Sequence, residues 1–241
     1  FYLAECERQS GNPSRALPHY QAVIGEQRNV FTGPSLLAAA TILYNREDFA
    51  GALEDYVLLE KVAEDPGSLL TARLGMLRCS YALGNDDSVI TLGKSLLKTE
   101  GVTEEMAREA IFKMAHAYLD KGDMDAALQQ YRKTASEVSS VEGAESKYRI
   151  AEILYKEGQY DEAEKEINEF IDMSTPHPYW MAKAFLLLSD LSLRKGDMIQ
   201  ARYTVQSILD YYENKTDGII DEAARKLSDI EQFEKLQNVP A

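Results

Sequence analysis

The chain of 241 residues contains two cysteines, one tryptophan and three histidines. Two cysteines cannot build the dense disulfide framework of a small secreted scaffold, so folding must rest on apolar burial. No apolar run approaches the roughly 20 residues that span a bilayer, and no signal peptide opens the sequence. Basic clusters are missing as well. The 26 Lys and Arg stand against 40 Asp and Glu, for a net charge of −14, which argues against a phosphate-binding face and so against nucleic acid. The acid excess serves solubility or answers a basic partner. HExxH, GxSxG, Walker and CxxC patterns are absent, and His19, His116 and His177 lie far apart in sequence. Neither catalysis nor a metal or other cofactor is expected. Neighbouring carboxylates such as Glu162 and Glu164 read as a solvated helix face, and the lone sequon Asn214, Lys215, Thr216 carries almost no weight.

What remains is 45% hydrophobic and 27% charged. The 7 prolines and 14 glycines mostly separate long stretches of Ala, Leu, Glu, Lys, Gln and Met, all good helix formers, so an all-α fold is expected. A short phrase returns six times. A turn residue (Gly11, Glu47, Gly84, Gly122, Gly158, Gly196) is followed, in all but the third unit, five places on by a small residue, with an aromatic or aliphatic one four places beyond. The turns recur every 36 to 38 residues. Such a period means stacked supersecondary units rather than one globular core. In each unit a first helix, A, ends at the turn, where glycine suits a left-handed conformation. Asn12, Asp48, Asn85, Asp123 and Asp197 follow in a place suited to capping the second helix, B.

Numbering each unit so that its turn residue is position 15 exposes the pattern. The fourth unit reads Ile111, Met114, Ala115, Tyr118, Gly122, Ala127, Tyr131, and the fifth Ile150, Ala151, Leu154, Gly158, Tyr160, Ala163, Ile167. Small residues at 8 and 20 let A and B approach, and bulky ones at 4, 7, 11 and 24 fill the space beside them. This pattern resembles the tetratricopeptide repeat. The resemblance implies a right-handed α-α superhelix of six helix-turn-helix repeats, at about 1–30, 33–66, 69–101, 104–140, 143–176 and 178–214, closed by an amphipathic cap at 217–237. The third unit departs most, with Leu77 at 8, Val89 at 20 and Gly93 at 24, and irregular packing is expected there. Cys6 and Cys79 both fall at position 10, which predicts buried free thiols too far apart to pair. Asn238 to Ala241 read as a trailing end. Because the register is already running at Phe1, the chain is expected to be the C-terminal part of a longer array.

Repeats longer than the family's usual length resemble those of bacterial cell-envelope scaffolds, which favours an envelope or periplasmic location over the cytoplasm. Function is expected on the concave face lined by helix A. Positions 5, 9 and 12 share one helical stripe, flanked by 2 and 13. The predicted peptide-binding residues are Leu37, Tyr44, Leu74, Arg78, Tyr81, Phe112, His116, Leu119, Tyr148, Glu152, Tyr155, Leu186 and Asp190. They form an aromatic and aliphatic ladder that suits an extended or helical protein segment with apolar anchors, or a basic one. The same large residues could instead pack between adjacent A helices. Family members that clamp acidic chaperone tails resemble one another in having Lys at 5 and Asn at 9, which no unit here has, so no affinity for such tails is expected. Two alternatives to a noncatalytic scaffold stay open. One is a structural or self-assembly module associating through its uncapped N-terminal edge, and the other is the sensory arm of a larger regulatory protein.

Overall fold

A computed structural model describes residues 1–237. Among these the fold is all-α, with thirteen helices and no strand: α1 Tyr2–Gln9, α2 Pro13–Ile24, α3 Thr32–Asn45, α4 Phe49–Val62, α5 Pro66–Ala82, α6 Asp86–Leu96, α7 Glu104–Asp120, α8 Met124–Thr134, α9 Val141–Lys156, α10 Tyr160–Met173, α11 Pro178–Arg194, α12 Met198–Tyr211 and α13 Ile219–Gln237. The tail expected over Asn238 to Ala241 lies outside the described residues. No helix among the described residues is long and apolar enough to cross a membrane. The helices form two compact units, Phe1–Ala127 and Leu128–Ala241.

The turns explain why the helices come in pairs. At all six, the residue after the turn donates its backbone N–H to a carbonyl five places back, as in Asn12 to Glu7 (2.9 Å), Asn85 to Ser80 (2.9 Å) and Asp197 to Ser192 (2.9 Å). This bond requires a left-handed residue between, and the five turn glycines have φ between 67° and 79°. Glu47 takes the same conformation at φ 62° although its Cβ makes that costly. The next residue then starts helix B. Asp48, Asn85, Asp123 and Asp197 each accept a hydrogen bond from a first-turn N–H. Asn12 departs from expectation and makes no side-chain cap. Its backbone carbonyl already takes the Arg15 N–H at 3.0 Å, and Pro13 has no N–H to offer.

Packing within each unit follows the small positions. Ala4 and Ala16, Ala40 and Ala52, and Ala115 and Ala127 in the first unit are fully buried, as are Ala151 and Ala163, and Ser189 and Ala201, in the second. Ser189 Oγ donates to the Ala201 carbonyl at 3.1 Å, so positions 8 and 20 touch. In the third repeat Leu77 and Val89 are just as buried. The gap left by Gly93 is filled by the next helix A, for a Cβ there would come within 2.6 Å of Met114 Cγ. One repeat earlier the sizes are reversed, with Tyr56 at position 24 lying where a Gly75 Cβ would be 2.5 Å from its ring. Bulk is exchanged between facing helices, so the core stays filled.

The cysteine expectation needs correction in half. Both thiols are free, but Cys79 is buried and Cys6 is exposed. Position 10 faces the preceding helix pair. Cys79 accordingly belongs to the core built from α1 to α5, and Ala117 to the one built from α5 to α7, whereas no described helix precedes α1. Burial pushes the Cys79 thiol up to about 11. In the second unit α13 buries Ile219, Ala223 and Ile230, leaves Ile220 and Leu227 half-buried, and exposes Ala224 and Phe233. Its apolar face is thus only partly covered.

Relieving the left-handed strain at Glu47 should stabilise the fold. Glu47→Gly is expected to raise the unfolding free energy by about 1 kcal/mol in urea titration; a loss of stability would show that the Glu47 side chain contributes more than its conformation costs.

Candidate functional site

In the first unit the helix-A stripe gathers around α5 and α7. Tyr81 is 36% exposed and lies in the last turn of α5, one turn beyond Arg78. Lys113 of α7 sits with its Nζ 4.2 Å from the centre of the Tyr81 ring, a distance at which an ammonium is attracted to the aromatic face. The His116 ring meets Phe112 edge-on at 4.6 Å and Tyr81 at 6.1 Å. Arg78 donates through Nε at 2.8 Å and Nη2 at 2.7 Å to the two oxygens of Glu109, a planar fork that fixes both chains. Burial works against the charged form of Glu109, yet the hydrogen bonds and charge of Arg78, together with Lys113, outweigh it and hold the carboxyl below its usual value. Further toward the N-terminus, Glu5, Arg8, Leu37 and Thr41 help to line a groove of 430 Å³. Tyr44 is half-buried edge-on to Phe49 at 5.3 Å.

The second unit repeats the theme with more pairing. Glu152 accepts from Arg149 at 3.0 Å and from the Tyr148 hydroxyl at 3.3 Å, and lies 3.3 Å from Lys156. As at Glu109, burial opposes its ionisation, and Arg149 and Lys156 together overcome it through hydrogen bonds and charge, so its pKa is lowered. Trp180 covers Tyr148, their ring centres 5.6 Å apart, with the Arg149 guanidinium 5.7 Å from the Trp180 ring. Tyr155 lies 5.5 Å from Tyr160. Asp190 is ion-paired with Lys226 of α13.

The thirteen predicted residues therefore divide. Leu37, Arg78 and Tyr81 are exposed, and Tyr44, Phe112, His116, Leu119, Glu152, Tyr155 and Asp190 are half-buried. Leu74, Tyr148 and Leu186 are buried. Leu74 joins the α5 to α7 core and Leu186 the core beneath α13, so they support the face rather than line it. Several participants lie off the three predicted rows. Glu109 at position 2 and Arg194 at position 13 stand in the flanking rows, Lys113 and Arg149 share position 6, and Trp180 precedes the repeat pattern. Only the flanking rows carried a signal in the periodicity.

The fork between Arg78 and Glu109 makes a pH-dependent contribution. Because the folded pKa of Glu109 is lowered, that contribution is complete above the unfolded carboxyl value of about 4.3 and disappears as pH falls through the folded one. Glu109→Gln should lower stability by about 1 kcal/mol at neutral pH, with the difference closing below roughly pH 4. A gap of the same size in acid, followed by urea unfolding, would contradict this origin.

Residues 112–178 match the family model for the tetratricopeptide repeat, across the fourth and fifth units. No curated protein sequence matches the chain. Among solved structures, pilF of Pseudomonas aeruginosa is 13% identical, with 96% of this chain and 95% of that one covered at a TM-score of 0.59. YrrB, a TPR protein with an unusual peptide-binding site, is 15% identical over 86% of this chain and 97% of its own, also at 0.59. A signal-transduction ATPase with numerous domains and a tetratricopeptide repeat sensor, from Pyrococcus horikoshii, is 12% identical at 0.69; the chain spans 97% of its own length but 38% of that protein. At such identities what is shared is the fold: residues 112–178 carry the tetratricopeptide repeat, and the turn-phased helix pairs on either side of them have the architecture of tetratricopeptide-repeat structures.

Proposed function

We propose that the chain is a noncatalytic scaffold that takes up a segment of another protein along its helix-A face, with the α5 and α7 cluster as the main anchor. The tetratricopeptide fold is in general a protein-interaction fold, and the finer reading rests on one observation. Tyr81 is exposed, yet it is held by the Lys113 ammonium at 4.2 Å and by the His116 ring at 6.1 Å. An aromatic residue kept in place before binding loses little conformational freedom when a partner covers it, and aromatic anchors dominate interface energetics. The charges beside it are already matched between Arg78, Glu109 and Lys113, so the complementary group is an apolar side chain. The peptide-binding site of YrrB agrees with such a use of the fold, although at 15% identity it lends no residue-level support.

A random peptide library panned on the chain supplies the probe. Tyr81→Ala and Phe112→Ala should each weaken the selected peptides by about tenfold or more, with the helical circular dichroism and urea midpoint of each variant close to the parent. Peptides that bind both variants as tightly as the parent would refute the assignment.

A second reading, association between copies, rests on the α1 end of the first unit, where Tyr2, Leu3 and Val30 are 72%, 58% and 81% exposed. Large apolar side chains this accessible, close together in one unit, favour contact with another apolar surface. Light scattering should then show mass rising with concentration for the parent and a constant monomer mass for Leu3→Glu. A parent that stays monomeric at all concentrations excludes this reading.

A further inference from the structure

At the end of α11 in the second unit, one cation is fixed in place and forms no ion pair among the described residues. Arg194 donates its Nε to the Tyr155 hydroxyl at 2.8 Å. Its guanidinium carbon lies 5.1 Å from the centre of the Tyr155 ring and 4.9 Å from that of Tyr160. Both rings are within cation-π range, and Arg stacks on aromatic faces in a way Lys does not. The other cations of α9 and α11 are spoken for: Lys147, Arg149, Lys156 and Lys183 each meet a carboxylate. Lys195, next in the chain, bridges Asp161 and Glu164 at 3.1 and 2.6 Å. The two terminal amino groups of Arg194 make no hydrogen bond or ion pair among the described residues.

We propose that Arg194 receives a carboxylate of a protein segment bound along the helix-A face of the second unit. With Nε occupied by Tyr155, the guanidinium offers only its outer edge, on which Nη1 and Nη2 point in parallel. A carboxylate fits that edge end-on through two N–H···O bonds. The rings hold the plane of the guanidinium, so the fork is formed before the ligand arrives. Asp161 is ion-paired with Lys195 and Asp190 with Lys226, so Asp190 acts on Arg194 only through its field and leaves the outer edge of the guanidinium open. Arg194 opens onto a cleft of 600 Å³ lined also by Gly158, Gln159, Tyr160 and Lys195. That cleft is lined too by Asp161 and Glu162 and belongs to a chain of net charge −14. An acidic run would be repelled there, so one cation selects one carboxylate in an otherwise neutral or apolar segment. This distinguishes the site from the Lys and Asn arrangement that grips acidic tails, which the sequence lacks. The inference rests on the helix-A face being the binding face.

The test uses the full chain and a peptide library displayed with free C-termini. Selected peptides should bind Arg194→Gln and Arg194→Lys alike about tenfold more weakly than the parent, because Lys has neither the planar fork nor the stack. Converting the peptide C-terminus to the amide, or its Asp and Glu to Asn and Gln, identifies which carboxylate is read. Urea unfolding of both variants should match the parent, as the side chain is exposed. Selected peptides that all bind the Arg194 variants with unchanged affinity would overturn this site, and weakened binding to Tyr81→Ala or Phe112→Ala in the same library would leave the helix-A reading standing. A library that yields no binder overturns both.

Discussion

Everything in this protein depends on how closely helices A and B of each pair approach at positions 8 and 20. In five of six pairs two small residues meet there, and all are fully buried. With so little side chain between them, the backbones lie near enough for Ser189 Oγ to reach the Ala201 carbonyl. Larger side chains are thereby displaced to positions such as 24 and 7, where Tyr56 and Met114 pack against the neighbouring pair. A pair alone would leave those residues in water, and stacking is what buries them. The third repeat keeps the rule in another form. Leu77 and Val89 fill the A-to-B contact, and the next contact compensates, with Met114 entering the space at Gly93.

The turn geometry fixes the phase of that contact. The left-handed residue at position 15 sends the chain back at the same angle each time, so the helix-A stripe of positions 5, 9 and 12 recurs on one side within each unit. Glu47 demonstrates the strength of this constraint, since it accepts φ 62° without being glycine. Side chains along the stripe then meet those of the adjacent A helix. Position 9 reaches a charge on the next helix in two places, Arg78 to Glu109 and Asp190 to Lys226, and position 12 reaches the next ring or guanidinium, Tyr81 to His116 and Tyr155 to Arg194. The face is ordered by these lateral contacts before any partner is present.

Fold class, helix pairing, turn conformation and the small-residue contact were all legible in the sequence, because each depends on residues close together in one repeat. The site was legible only as rows. Periodicity placed Tyr81, Phe112 and His116 on a common stripe, but it could not show that Leu74, Tyr148 and Leu186 on the same stripe are covered by neighbours. Burial depends on the sizes of side chains 30 to 40 places away, which period alone does not encode. Cys6 failed for a related reason, as its row is buried only where a preceding pair covers it. The pairing of Lys113 with Tyr81 and the isolation of Arg194 are matters of distance between helices and needed coordinates.

The claim that binding takes place on the helix-A face, and not on the helix-B side, can be tested by site-specific photocrosslinking. Benzoylphenylalanine would be placed singly at Tyr81, at Phe112 and at Tyr203, the last a 65% exposed residue of α12. Each labelled chain would be irradiated with a selected peptide bound. The account predicts covalent peptide adducts from positions 81 and 112 and none above background from 203. Adducts from 203 with none from 81 and 112 would contradict it.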